Sequence, residues 1–519
     1  MLMQQMKLIF SRFWIPIGGI LIALLYLPML AAPFDFIDDG NLVYPSGATN
    51  LSEWLAAMKT AIVANYDHLG AFRPTLWFHW LVQQHLLGPN ELPWHVYRLL
   101  WCALAAGMFL WFLKELGFRK EPALFIAALA MWNRIPNEIW MSLTLGEGVA
   151  MPYAMLALIA ARRASRSSRP WAWDIAAALG LLVALGCKNT FVALLPAMVV
   201  MRVLPDRVTI REGIRRNWKG VMILCLPLIM PIAHYIYFKT HWKPGQYVTQ
   251  PPSLSFVGQM LSVQLRASSL DFLAPGLVLC IAAIIMAKRG AGATSSGDAI
   301  SIAPSTPPQT HRAAFIAGVL LFIFGMAIYL PINAYGGRYA IPAVWGAYLT
   351  IAVFLATVIR LKASRATQVA WIALIGGLIA IAIASIGKQE KLIARANMLW
   401  QAVEWVEKNV PADTAIAWLS GDSDQGALNI EEGIHFQWHL DFRGKKKVRV
   451  LLYDESWKPL NRVEIDAGKE KPELAIWGKP VPATAPLKPD ESFVTTYRFG
   501  AKQYECHLGR RAGSASARP

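Results

Sequence analysis

Apolar residues along this chain gather into runs of membrane-span length rather than the short alternations of a soluble core. The runs lie near 13–32, 94–113, 121–140, 146–161, 171–187, 190–203, 220–238, 273–287, 313–332, 340–359 and 368–387. A hydrocarbon layer roughly 30 Å thick takes about 20 apolar residues of helix. The pattern therefore predicts an α-helical polytopic membrane protein of about eleven transmembrane helices, with boundaries open by a few residues where a run is short. After residue 387 charged and apolar residues alternate and no further span occurs. The spacing there predicts a small soluble α/β domain at 388–519, with a helix over Gln389 to Asn409 and strands near 414–419, 447–453, 473–477 and 492–508.

The stretches between the runs have their own patterns. In the loop 33–93, Leu51, Trp54, Leu55, Met58 and Ile62 recur at helical spacing, and Asn50 with Glu53 reads as a helix cap. That helix is expected to lie in the membrane interface with its apolar stripe down. A second stretch, Pro74 to Leu87, rich in Trp, Phe and His but interrupted by Gln83 and Gln84, reads as in-plane rather than spanning. The loop 239–272 carries Pro244, Gly245, Pro251 and Pro252 and then an amphipathic piece, Phe256 to Leu265, the makings of a cover over a groove. Residues 290–312 are a Gly/Ser/Pro linker, dividing an N-terminal membrane module, 1–289, from the helices of 313–387.

Composition agrees: with 55% hydrophobic and 16% charged residues and a mean hydropathy of +0.38, polar side chains are too few to cover a soluble globule of 519 residues. Charge then sets the orientation. With the N-terminus inside, 21 of the 50 lysines and arginines fall in the cytoplasmic segments, with clusters at Arg162 to Arg169 and Arg202 to Lys219. The net charge of +17 is accordingly topology and contact with anionic membrane lipids, not nucleic-acid binding, for which no pattern occurs. The expected location is a bacterial inner membrane, with the first helix a retained anchor and the C-terminal domain outside. Cys102, Cys187, Cys225 and Cys280 sit in apolar runs and Cys506 in the tail, so no disulfide framework is expected.

Five polar groups are hard to explain by folding alone. Asp38 and Asp39, in FDFIDDGNLVY at the outer end of the first helix, repel each other, and partial burial of such a pair raises the proton affinity of one, which is how a general base is tuned. A solvated loop start turning at Gly40 is the plainer reading. Arg73, before Pro74, offers the planar donor fork that suits a phosphate, or anchors the loop among aromatics. In WNRIPNEIW, Arg134 and Glu138 sit at membrane depth, where an ionisable group is rarely idle; an internal Arg134–Glu138 pair is the alternative. Lys188 in GCKNTF marks either a hairpin turn or a phosphate or sugar contact. Arg338 and Tyr339 in PINAYGGRYAIP stand in a Gly-rich outer loop, against the charge bias, and suit an anion. The predicted topology puts all five on one membrane face.

The order of FDFIDDG, AFRP, LLGPNELPWHVYRLL, RIPNEIW, LGCKNTFVALLP and GRYAIP resembles the GT-C superfamily of multi-pass glycosyltransferases, which includes protein O-mannosyltransferases and lipid A aminoarabinose transferases. The likeness covers residues 8–205 and, more weakly, 313–350, and does not reach the tail. It implies transfer of a sugar from a polyprenyl-phosphate-linked donor to a lipid, glycan or protein acceptor on the extracytoplasmic face. Asp38 or Asp39 would take the acceptor's proton, Arg73, Lys188 and Arg338 would stabilise the departing phosphate, and Glu138 would orient the sugar or acceptor. No cofactor or metal is expected, since His68, His79, His85 and His95 lack ligand spacing. A flippase of a lipid-linked intermediate and a non-catalytic membrane assembly protein remain as alternatives. Asp422-Ser423-Asp424 imitates a metal-binding Asp-x-Asp site but reads as a turn.

Overall fold

Helices dominate because the apolar runs must satisfy their backbone groups internally. The structure, a computed structural model, describes residues 2–35, 39, 42, 50–69, 72–88, 90–204, 209–241, 258, 310–328, 337–360, 364–421, 428, 430–442, 448–454, 457–460, 472, 474–478, 493–499 and 502–510. The run 273–287 and the Asp422 to Asp424 motif lie outside these residues, as do the Phe256 to Leu265 piece except Gly258 and the linker up to residue 309.

Helix α1 (Leu2–Ala23) passes into a 3-10 helix, Leu24–Ala31. Next come α2 (Leu51–Leu69), whose first turn is capped by Asn50 Oδ1 accepting from the Glu53 N–H at 3.0 Å, and α3 (Pro74–Leu87). The hairpin partners α4 (Glu91–Glu115) and α5 (Lys120–Trp132) lead to the short α6 (Arg134–Met141) and then α7 (Gly146–Ala164). After α8 (Pro170–Cys187), a 3-10 turn, Asn189–Leu194, leads into α9 (Leu195–Val203). Helix α10 (Ile210–Cys225) is followed by α11 (Ile229–His241). Further on lie α12 (Thr310–Ala327), α13 (Ile341–Arg360) and the long α14 (Ser364–Asn409).

Among the described residues four segments are long and apolar enough to cross a membrane: Arg12–Ala31, Glu91–Glu115, Pro170–Cys187 and Ile210–Tyr237. The pair α6 and α7, bent by 115°, makes a fifth candidate, and the runs at 190–203, 313–332 and 340–359 form shorter apolar helices. Large apolar side chains stand exposed on the flanks of these helices, among them Ile20, Leu21, Leu100, Leu104, Leu179 and Ile229. So much exposed apolar surface on one body is covered by lipid in an integral membrane protein.

The tail differs from its sequence reading in three respects. The helix expected over Gln389 to Asn409 is the end of α14, which begins at Ser364 and takes in the last apolar run without a break. A helix not foreseen, α15 (Ile430–Phe442), follows strand β1 (Ala415–Ser420). The single strand expected at 492–508 is a hairpin of β4 (Phe493–Phe499) and β5 (Lys502–Arg510). With β2 (Arg449–Asp454) and β3 (Leu474–Trp477) they form one sheet in the order β2-β1-β3-β5-β4, where β1 runs parallel to β2 and β3, and β5 antiparallel to β3 and β4. Trp418 of β1 packs on Phe436 of α15. The domain is seated on the end of the first helix: Trp400 Nε1 donates to the Phe34 carbonyl at 3.0 Å, and the His439 ring stacks on Phe34.

Candidate functional site

The broken helix supplies the frame. Asn133 ends α5 and caps α6, its Oδ1 accepting from the Ile135 N–H at 3.1 Å. Four residues, Ser142 to Leu145, then turn the chain through the 115° bend into α7. A turn buried that deeply leaves backbone donors and acceptors that need partners, and two charged side chains supply some. Asp39, 1% exposed, accepts from the Leu143 N–H through Oδ1 and from the Asp35 N–H through Oδ2, both at 3.0 Å. From α4, Arg98 donates through Nη2 to the carbonyls of Ile139 at 2.7 Å and Leu145 at 3.4 Å, with its guanidinium 5.2 Å from the Trp140 ring centre. The guanidinium lies so close to α7 that a methyl group on Gly148 would come within 2.6 Å of Arg98 Cζ.

This clamp sets the first turn of α7, and with it Glu147, which is 1% exposed. Its carboxylate meets the Lys188 ammonium at 3.0 Å. Lys188 follows directly on the last residue of α8, so α7 and α8, packed side by side, bring the pair together at one end of the bundle. Gly146 keeps that approach open: a methyl group there would stand 2.8 Å from the Cys187 carbonyl. Two further cations bear on the pair, Arg73 at the N-terminus of α3 and Arg338 in a one-turn 3-10 helix, Gly337–Ala340, that packs against α6. Burial, then the charge of Arg73, pulls the Lys188 ammonium down to about 7; Arg338 pulls the same way and Glu147 opposes them.

Four of the residues singled out in the sequence thus gather at one centre, Asp39 and Lys188 buried and Arg73 and Arg338 half-buried. Asp38 and the side chain of Tyr339 lie outside the described residues. Glu138 points elsewhere: it faces Lys388 of α14 at 3.6 Å, both partly exposed, and Arg134 is exposed, so the internal pair considered for the two is not formed. Two members of the centre, Arg98 and Glu147, had not been singled out. Their signal was present, since each is a charged residue inside or at the mouth of an apolar run. His79 bonds through Nε2 to the Tyr97 hydroxyl at 3.0 Å, and burial, then the charge of Arg98, pulls it to about 4, which leaves it neutral. Among the described residues no group of three His, Cys, Asp or Glu side chains is placed to hold a metal ion.

Among the described residues, Arg73, Arg98, Lys188 and Arg338 and the buried carboxylates Asp39 and Glu147 act on one another electrostatically.

No protein-family model matches this sequence, and no curated protein matches it. Among solved structures the chain is similar to ArnT from Cupriavidus metallidurans bound to undecaprenyl phosphate, at 10% identity and a TM-score of 0.47, covering 97% of this chain and 99% of that one. It is also similar to the archaeal oligosaccharyltransferase AglB from Archaeoglobus fulgidus in complex with an inhibitory peptide and a dolichol-phosphate, at 12% identity and a TM-score of 0.43, covering 85% of this chain and 64% of that one.

Proposed function

We propose that this protein is a membrane glycosyltransferase of the GT-C kind, which moves a sugar from a polyprenyl-phosphate-linked donor to an acceptor on the extracytoplasmic face. The observation that carries the reading is the buried Glu147–Lys188 pair with the charges of Arg73 and Arg338 both acting on Lys188. An isolated ion pair closes on itself, whereas a pair surrounded by further guanidiniums suits an anionic headgroup. In this reading Arg73, Lys188 and Arg338 hold the donor phosphate, and Tyr339 is assigned to donor binding with them. As the acceptor oxygen bonds to the anomeric carbon, the bond from that carbon to the phosphate oxygen breaks. Negative charge then grows on the departing polyprenyl phosphate, where fixed cations stabilise it most.

The acceptor's proton goes to a carboxylate of the first loop. Both Asp39 oxygens already accept backbone N–H groups, which suits a residue that shapes the site, so we assign the base to Asp38 and the positioning of the Ser142 to Leu145 turn to Asp39. Glu138, paired with Lys388, is assigned to the acceptor side. The acceptor is a lipid, glycan or protein.

The test uses the purified full-length protein with two probes, undecaprenyl phosphate and the uncharged undecaprenol, retention being read by native mass spectrometry. The phosphate should be retained over the alcohol, and the double variant Arg73→Gln, Arg338→Gln should lose at least tenfold of that preference. Equal retention of the two probes, or a preference untouched by the double variant, removes the phosphate site from this centre. Transfer itself should vanish in Asp38→Asn while phosphate retention persists.

A further inference from the structure

The opposite end of the bundle carries a second feature, independent of the proposed reaction. Helix α7 runs from Glu147 to Arg163, α8 returns, and α9 runs down again to Arg202, so α10 begins at the end remote from the Glu147–Lys188 pair. Its first ten residues, IREGIRRNWK, hold four exposed cations, Arg211, Arg215, Arg216 and Lys219, against one carboxylate, Glu212, which is itself paired with Arg216. Along the same helix and into the 3-10 turn that follows it, Ile210, Ile214, Trp218, Met222 and Leu226, each four residues after the last, are all at least 40% exposed. That stripe runs unbroken from the basic turns into the apolar span.

The other face of α10 is fixed. Gly213 packs on the Val203 carbonyl so closely that a methyl group would strike it, and a methyl group on Gly220 would stand 2.6 Å from Asp174 Oδ2. Between them Asn217 breaks the helix, with φ −115° and ψ 20°. Its Nδ2 donates to the Gly213 carbonyl at 3.0 Å and its Oδ1 accepts from Arg202 Nη1 at 2.7 Å, while Arg202 also holds the buried Asp174. The bend is therefore built by side chains of three helices, and it holds the basic half of α10 at a set angle to the apolar half. Trp218 sits at the join with the Lys219 ammonium 5.8 Å from its ring centre, the place a tryptophan takes at a membrane–water boundary.

From this we infer that the basic half of α10, bent at Asn217, is a binding surface for the headgroups of anionic phospholipids in the leaflet opposite the Glu147–Lys188 centre. The exposed apolar stripe enters the acyl region, and the flanking guanidiniums and ammonium meet the lipid phosphates.

The test compares lipid retention by the full-length protein in nanodiscs of phosphatidylcholine alone and of phosphatidylcholine mixed with phosphatidylglycerol. The wild-type protein should keep phosphatidylglycerol preferentially. Replacing Arg211, Arg215, Arg216 and Lys219 together by Gln should reduce that preference at least tenfold. A second variant with Arg12, Arg119, Arg166 and Arg169 replaced by Gln, which removes the same charge from other exposed positions, should keep most of it. An unchanged preference in the first variant, or equal loss in both, overturns the site in favour of no binding there or of undirected attraction. If the fourfold α10 variant does not fold, the single variants Arg215→Gln and Lys219→Gln are compared with Arg166→Gln on the same readout, and equal losses among the three overturn the site as well.

Discussion

Replacing Glu147 by Gln keeps the shape of the side chain and removes its charge, which leaves Lys188 buried beside Arg73 and Arg338 without its anion. The Glu147 and Lys188 side chains are only 1% and 7% exposed, so water cannot take the carboxylate's place. At a pH low enough to keep Lys188 charged, removing one partner of so deeply buried a pair costs roughly 3–5 kcal/mol, against about 1 kcal/mol or less for an exposed pair. Removing both, as in Glu147→Gln with Lys188→Met, should return most of that cost, since no uncompensated charge remains. Cys187 supplies a reporter, being fully buried and one residue from Lys188. In a background where the other four cysteines are replaced by alanine, the labelling rate of Cys187 reads the opening equilibrium of this end of the bundle. The expected acceleration in Glu147→Gln is about two to nearly four powers of ten, each power being 1.36 kcal/mol, and the double variant should fall well short of the sum of the two singles. Additive effects, or a change below about tenfold in Glu147→Gln, would show that the pair does not carry this end of the protein.

Three further outcomes are expected. Phosphate binding should weaken as pH rises through about 7, because Lys188 is charged below that value and neutral above it; Lys188→Arg, which stays charged, should flatten this part of the profile, and matching profiles for the two proteins would exclude Lys188 as a ligand. Gly148→Ala should displace the Arg98 guanidinium from the Ile139 and Leu145 carbonyls, at a cost on the order of 1–3 kcal/mol in stability; an unaltered unfolding midpoint would show that the guanidinium has room to yield. For orientation, labelling of the native Cys506 is not informative, since the thiol faces the core of the sheet and is fully buried; a cysteine placed at the exposed Thr496 should instead react from outside in intact cells, and protection there would invert the topology.

The sequence alone determined the class of protein and the positions of most helices. A span declares itself locally, because every residue in it must be apolar enough for lipid and must close its own backbone hydrogen bonds. The cap at Asn50, the helix Pro74–Leu87 and four of the site's charges were legible for the same reason: each breaks or bounds an apolar pattern that neighbours in the chain make visible. Which charges meet was decided only by tertiary structure. Arg98 and Glu147 read singly as stray polar residues, and only the packing of α4, α7 and α8 around a bent helix gives each a partner. Glu138, one helical turn before the bend, turned instead to Lys388, some 250 residues away. Electrostatic pairing at low dielectric depends on distances of a few ångströms between residues far apart in the chain, and a one-dimensional pattern does not contain those distances.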